Sequence, residues 1–504
     1  MRLSKVIFIK NALILTVTGL FIRFLGMLFR VWLASAVGAE GMGLYSQIIS
    51  FYALASAFAS TGINTAVTRM VAEELASGNG KGARRVLGRC MMATSVIAAL
   101  SLCTIFFGAD TIAGGLMGDM RAADALRTLS FSLPFMGLSS CLKGYFIARK
   151  KTAPASSAQI FEQFIRIGLI MLIFTRSAEQ SVESACRWIL FGDVVAEVCS
   201  FIYVYAAYQI DKIKHIVPLG GIRPQYSVLS RLRHIALPIT AGRYVNSVLR
   251  TAENLLVPRQ LALSGMKNAD ALSVFGVIKG MALPLLLFPS TFLSALSTLL
   301  IPEMSDAAER GQTYKVKYTA EKCIHITLIS ALPVAVIFFF GAGELGNLIY
   351  QDPEAGRILH YLAPLIPLMY LDSVCDGLLK GLDQQGSIFR NSVLDSLGRL
   401  TLILLILPRL GIVGFIIIMY LSNGFTCLMN LVNLIKISKA RVKWFGWVVL
   451  PAVTALTSGT VTHLILRRFS LPELPFLLLF GGTTAILYLI AVLRLGCITR
   501  EDLK

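Results

Sequence analysis

Charged residues are scarce in this chain. They fill 15% of its 504 positions, against about a quarter in an ordinary soluble domain. Hydrophobic residues make up 56% and mean hydropathy is +0.71, so water is not the main solvent and a soluble enzyme is excluded. Cysteine pairing is absent as well. The nine cysteines are odd in number, none forms a CxxC pair, and Cys103, Cys141, Cys199, Cys375 and Cys427 sit within apolar runs, which argues against a disulfide framework or a zinc site. A nucleotide motor is excluded too, because Gly78-Asn79-Gly80-Lys81-Gly82 lacks both the spaced first glycine and the Ser/Thr after the lysine that a phosphate loop needs.

What fills the chain is apolar runs, recurring from Asn11 to Arg494. We read about fourteen spans, each near the ~20 residues that cross a bilayer. They begin near Asn11, Leu44, Cys90, Ala125, Ala158 and Ala185, and resume after a polar break near Ile235, Leu272, Cys323, Ile358, Asn391, Ile412, Gly446 and Pro475. The first run resembles a secretory signal, with Arg2, Lys5 and Lys10 ahead of it and Ala34-Ser35-Ala36 after it. Arg23 and Arg30 lie between run and supposed cleavage site, which a signal's apolar region does not tolerate. The formal charge of +19 is a matter of topology rather than of nucleic acid. Basic residues gather in alternate loops, among them Arg69, Lys81, Arg84, Arg85 and Arg89, then Arg149 to Lys151, then Arg231 and Arg233, then Lys315 and Lys317, then Lys436 to Lys443. The positive-inside rule then puts both termini in the cytoplasm.

The chain also repeats itself. Slid by 233 positions, Phe107-Gly108-Ala109 falls on Phe340-Gly341-Ala342, Pro134 on Pro367, Gly144 on Gly377, Arg166 on Arg399 and Glu162 on Asp395. A neighbouring offset of 230 sets Tyr45 on Phe275 and Glu73 on Glu303. Six spans separate the copies, an even number, so the halves are parallel repeats about an axis along the membrane normal. The expected fold is an all-α integral membrane protein of two six-helix lobes around a central cleft. The first lobe is residues 1–208, a cytoplasmic linker holds residues 209–233, the second lobe is residues 234–434, and two more spans with a cytoplasmic tail occupy residues 435–504.

A charge at the bilayer centre costs on the order of 2.5–3.5 kcal/mol, so each intramembrane charge needs an account. Arg23 and Arg30 in the first span, and Arg243 and Arg250 in the seventh, are seven apart, which sets each pair on one helix face. They either snorkel to headgroups or make a cationic cleft for an anionic, phosphate-bearing substrate, a task that suits the guanidinium fork. Glu162 with Arg166, and Asp395 with Arg399, are i,i+4 pairs that read as structural staples. Asn391, Asp395 and Glu253 offer oxygen ligands for a small cation. Asp193 with Glu197, and Asp372 with Asp376, are same-face acids that could carry protons, face a wet cavity or bond hydroxyls, and Lys143 and Lys279, also inside spans, are cations that could pair with those acids, the sequence alone not assigning which.

Lys143-Gly-Tyr-Phe146, Pro154-Ala, Gln159, Glu162-Gln163 and Arg166 resemble the stage V sporulation protein B family. So do Arg23-Phe-Leu-Gly26 through Arg30, Gly41-Met-Gly-Leu-Tyr45, Val71-Ala-Glu73 and Ile301-Pro-Glu303. The chain departs from that family at Ile147-Ala148, where a Gln-Gly pair is usual, and at Glu253-Asn254, where an aspartate is common. The resemblance implies membership of the multidrug/oligosaccharidyl-lipid/polysaccharide exporter superfamily and location in a bacterial plasma membrane. It implies further that Arg23 and Arg30 are the counterparts of the cleft arginines of lipid II flippases.

The expected function is a flippase for a polyprenyl-pyrophosphate-linked saccharide, a peptidoglycan precursor or related unit, in spore cortex synthesis. Its expected partners are that lipid-linked saccharide, the bilayer and cell-wall synthesis proteins, with no nucleic acid. It needs no cofactor, and cation or proton coupling and the membrane potential supply the drive. The rivals are a drug/cation antiporter of the same superfamily, which would want an acidic cavity that the first lobe does not show. A glycosyltransferase or polymerase would want a large outer loop with acids or histidines, and a scaffold would leave the intramembrane arginines unexplained.

Overall fold

Backbone in hydrocarbon must bond its own amides, and the helix is the element that does so within one segment. The computed structural model describes residues 2–60, 62–176, 181–214, 227–469 and 471–497, with side chains for all of these but residues 2–15, 59, 176, 214, 238 and 239; every regular element among them is helical. The middle of the expected linker, with Pro218, Gly220, Gly221 and Pro224, and the tail beyond residue 497 lie outside the described residues.

In chain order the helices begin with α1 (Arg2–Ser60), α2 (Ile63–Ala76), α3 (Gly80–Thr111), α4 (Ala122–Ser130), α5 (Ser132–Ala148), α6 (Ala153–Arg176), α7 (Val182–Lys214) and α8 (Val228–Leu263). There follow α9 (Asn268–Gly276), α10 (Leu283–Leu287), α11 (Ser290–Glu309), α12 (Thr313–Phe340), α13 (Ala342–Tyr350), α14 (Pro353–Leu362), α15 (Ile366–Gly381), α16 (Gln385–Ser438), α17 (Leu450–Leu466) and α18 (Glu473–Arg494). Among the described residues, ten helical stretches are long and apolar enough to cross a membrane, against the fourteen spans expected. The difference has physical causes. Gly38 (φ 70°) interrupts α1 and Gly411 (φ 53°) interrupts α16, so two of the ten stretches each contain two helical arms. The fourth expected span is divided into the short α4 and α5, and α8 carries Arg231, Arg233, Arg243, Arg250 and Glu253, which lower its hydropathy.

The chain divides into two units. One holds Met1–Phe29 and Leu44–Arg259, the other Arg30–Gly43 and Gln260–Lys504. Most of α8 thus groups with the first unit. Its Thr251 hydroxyl and Asn254 amide bond the Ser50 carbonyl and hydroxyl at 2.9 Å each, and Arg231 pairs with Glu73.

The duplication is written in the backbone. Three residues of the first unit with left-handed φ, Gly78, Gly118 and Lys150, are each followed 233 positions later by another, Gly311, Gln351 and Asp383. Helix ends follow the same register: α3 starts at Gly80 and α12 at Thr313, and α5 ends at Ala148 and α15 at Gly381. Packing repeats too, since a Cβ on Gly144 would meet Asn64 and one on Gly377 would meet Ser297. Core positions Leu87, Cys90, Leu142 and Phe146 recur as Ala320, Cys323, Cys375 and Leu379. This register runs back through α2 and α11, which end at Ala76 and Glu309, and it corrects the 230 offset in that region. The structural counterpart of Glu73 is Asp306, one helical turn beyond Glu303.

The glycine-rich Gly78–Gly82 segment is a helix cap. The Asn79 Oδ1 accepts from the Gly82 amide at 2.8 Å and its Nδ2 donates to Glu74 at 2.7 Å, so the groups that would cradle a phosphate are spent internally. The last two helices lie outside the duplication and dock on α12. Gly459 admits Val336, whose Cγ1 would stand 2.2 Å from any Cβ there, and the Tyr488 hydroxyl donates to the Ile329 carbonyl at 2.9 Å.

Small residues let membrane helices approach backbone to backbone. The tightest such contact is in the second unit, where a Cβ on Gly276 would lie 1.9 Å from the Ala39 carbonyl oxygen and one on Gly43 2.1 Å from that of Leu272. Neither neighbour can rotate away. Gly276→Ala should therefore destabilise the fold by ~1–3 kcal/mol, read as a fall in the detergent melting temperature of the purified protein, whereas Gly481→Ala, which meets open space, should change little.

Candidate functional site

The staples predicted on α6 and α16 both form, and each recruits partners from other helices. In the first unit Arg166 donates to Glu162 at 3.0 Å and to the Gln163 amide oxygen at 2.7 Å, and its Nε lies 2.6 Å from Asp193 on α7. Lys143 on α5 reaches Glu162 at 3.8 Å. Two cations and two carboxylates are thus drawn into one site where side-chain exposure runs from 12% to 24%. Buried charge is tolerable only when paired and bonded in this way. Asp193, paired in the sequence with Glu197 as a proton carrier, is instead a ligand of Arg166. Glu197 is buried one turn further on, with no ion pair among the described residues.

In the second unit Arg399 pairs with Asp395 at 2.5 Å, and the Ser422 hydroxyl donates to the other Asp395 oxygen at 2.6 Å. The Asn391 amide donates to Asn430 at 2.9 Å, and Asn430 donates to Asp372 on α15 at 2.9 Å. Asn433 closes onto Ser387 at 2.9 Å. These bonds join the two arms of α16 antiparallel about Gly411, and Asp395 and Arg399 face a cavity of about 570 Å³ between those arms. Asp376, the other member of its expected proton pair, is taken by Lys380 at 2.5 Å. Among the described residues no group of three His, Cys, Asp or Glu is placed to hold a metal ion. Glu253 is buried in the first unit, while Asn391 and Asp395 belong to the second.

The two arginine pairs differ from all of these. Arg23, Arg243 and Arg250 belong to the first unit and Arg30 to the second. Arg23, Arg243 and Arg250 are exposed and Arg30 is half-buried. Among the described residues none of the four makes an ion pair or a hydrogen bond, whereas Lys143, Arg166 and Arg399 each have a carboxylate.

Bundled apolar helices with a twofold repeat and charges buried inside the units define a polytopic membrane protein of the transporter type. The fold matches the solved structure of the lipid II flippase MurJ in its inward closed conformation with a TM-score of 0.71 at 15% identity, covering 94% of this chain and 97% of that one. Residues 8–308 match the family described as polysaccharide biosynthesis protein, and the chain belongs to that family. Its relatives include stage V sporulation protein B of Bacillus subtilis (strain 168), 26% identical over 510 residues with 100% of this chain and 98% of that protein covered. They also include lipid II flippase MurJ of the same organism, 20% identical over 75% of this chain and 73% of that one.

Proposed function

We propose that this protein is a flippase that moves a polyprenyl-pyrophosphate-linked saccharide, a peptidoglycan precursor or a related unit, from the inner to the outer leaflet of a bacterial plasma membrane. The observation that carries this reading is the contrast among intramembrane cations: Lys143, Arg166 and Arg399 in the α5–α7 and α16 clusters have carboxylate partners within their own units, and Arg23, Arg30, Arg243 and Arg250 have none among the described residues. A pyrophosphate supplies the missing negative charge, in a geometry that guanidinium groups bind bidentately. Arg23, Arg30, Arg243 and Arg250 hold the headgroup while the prenyl tail stays in the bilayer. The full-length likeness to a sporulation protein supports a place in spore cortex synthesis, alongside cell-wall synthesis proteins that use the flipped saccharide.

Alternating exposure of the arginines to the two leaflets moves the headgroup with no covalent step, so the reading is of a transporter and not an enzyme. With both termini cytoplasmic, a potential negative inside favours outward movement of an anion by ~2.3 kcal/mol per charge per 100 mV. A cation or proton taken at Glu253 or at Asn391 and Asp395 resets the empty carrier. Of Glu253→Gln and Asp395→Asn, one should then remove the dependence of transport on sodium or proton gradients, measured by imposing each gradient in turn across proteoliposomes. The reading itself is tested by offering fluorescent polyprenyl-pyrophosphate saccharide beside a fluorescent phosphatidylcholine. Movement of the first alone is expected, and movement of both alike would point to a nonspecific scramblase.

A further inference from the structure

One end of the second unit has lost what its counterpart in the first unit keeps. In the first unit Arg127 pairs at an exposed helix end with two carboxylates, Asp110 at 2.5 Å and Asp124 at 2.9 Å. The residues 233 positions further on are His360 for Arg127, Gly343 for Asp110 and Arg357 for Asp124. Both carboxylates are gone and a second basic residue has been added. A cavity of about 390 Å³ stands there, and Gly343, in the first turn of α13, has nothing within 4 Å of where its Cβ would be.

The α17–α18 pair, which the first unit has no copy of, completes the walls. It brings His463 and Arg467 to the cavity, where His463 packs on Phe340 at 5.1 Å. The counterpart of Phe340 is Phe107, which is 80% exposed. His360 donates its Nδ1 proton to the Phe339 carbonyl at 2.8 Å, which fixes the ring at the cavity wall; only the imidazolium form has a second proton, on Nε2, to offer an anion. The His463 Nδ1 is buried without a hydrogen-bond partner among the described residues. The first amides of a helix, here those of α13, have no carbonyl within their own helix. The acids at the site are Glu344, which lines the cavity, Glu354, which pairs with Arg357 across an exposed surface, where such pairs are weak, and Glu473, which accepts from the lining Asn347 at 3.3 Å.

We propose that this cavity is an anion-binding site that takes a carboxylate or phosphate group in the place that Asp110 and Asp124 fill in the first unit. By the positive-inside reading it opens on the outer side of the membrane. The site does not depend on what the protein transports, and binding is read without transport, so its failure leaves the flippase reading standing.

The test uses the full-length protein in detergent and in lipid nanodiscs, with three anionic probes: inorganic pyrophosphate, glucuronate and phosphatidylglycerol. Glucose and phosphatidylcholine are the neutral-headgroup controls. Equilibrium dialysis should show saturable binding of at least one soluble anion, or native mass spectrometry retention of the anionic lipid, and the pattern among the three tells a free anion from a lipid headgroup. Arg467→Gln should weaken that binding about tenfold, as loss of one charge-assisted contact implies. Gly343→Asp restores the carboxylate of the first unit in open space. It should abolish binding while leaving the protein folded and raising its melting temperature, which keeps the test decisive if Arg467→Gln folds poorly. Saturable binding unchanged in Gly343→Asp, or no binding of any of the three anions, would overturn the proposal.

Discussion

Arg166→Leu should leave almost no folded protein in the membrane. The guanidinium is the shared counter-charge of Glu162 and Asp193, so its removal strands two carboxylates that are 16% and 12% exposed. Breaking a buried pair by removing one partner costs ~3–5 kcal/mol, a large part of the ~5–15 kcal/mol that holds a typical domain together. Lys143 offers little compensation, because it already faces Glu162 from 3.8 Å. The cost comes from stranded charge and not from lost contact, so Arg166→Met combined with Glu162→Gln and Asp193→Asn should recover much of the folded yield. Fluorescence-detected size exclusion of a fusion protein reads both outcomes. A single variant as abundant and monodisperse as the parent would show that the cluster carries no stability.

The second large effect falls on transport alone. Arg30→Ala and Arg250→Ala should each lower the initial rate of lipid-linked saccharide movement by roughly ten- to a hundredfold, the equivalent of ~1.5–3 kcal/mol for a lost charge-assisted contact. Neither arginine has an ion pair among the described residues, so folded yield and melting temperature should stay close to those of the parent. Lysine at either position should restore part of the rate, since it replaces the charge but not the bidentate fork. A loss of yield that tracks the loss of transport would instead make these arginines structural.

Those two effects separate what the sequence discloses from what it hides. Glu162 with Arg166 and Asp395 with Arg399 were readable because an i,i+4 pair depends only on helix periodicity and recurs at one offset. Asp193 on Arg166, Ser422 on Asp395 and the Asn391–Asn430–Asp372 chain were not. Such contacts depend on how neighbouring helices are rotated, and in a uniformly apolar chain no amphipathic stripe records that rotation. The register of α2 and α11 is ambiguous in sequence for a related reason, as apolar matches one turn apart look alike and the marker is backbone conformation at Gly78 and Gly311. Left-handed Lys150 and Gln351 leave no trace at all, being residues whose identity does not call for that conformation, whereas Asp383 is of a type that tolerates it. The replacement of Asp110 and Asp124 by Gly343 and Arg357 was visible at the 233 offset, but it acquires meaning only once Arg127 is seen held by both acids.

The most direct test is the movement of fluorescent lipid II across proteoliposomes that hold the purified protein, followed by quenching of the outward leaflet, with Arg30→Ala and Arg250→Ala measured in parallel at equal protein density. The account predicts time-dependent movement by the parent and little by either variant. Equal movement by all three would contradict the assignment of the arginines, and no movement of lipid II or of other polyprenyl-linked saccharides by the parent would contradict the flippase itself.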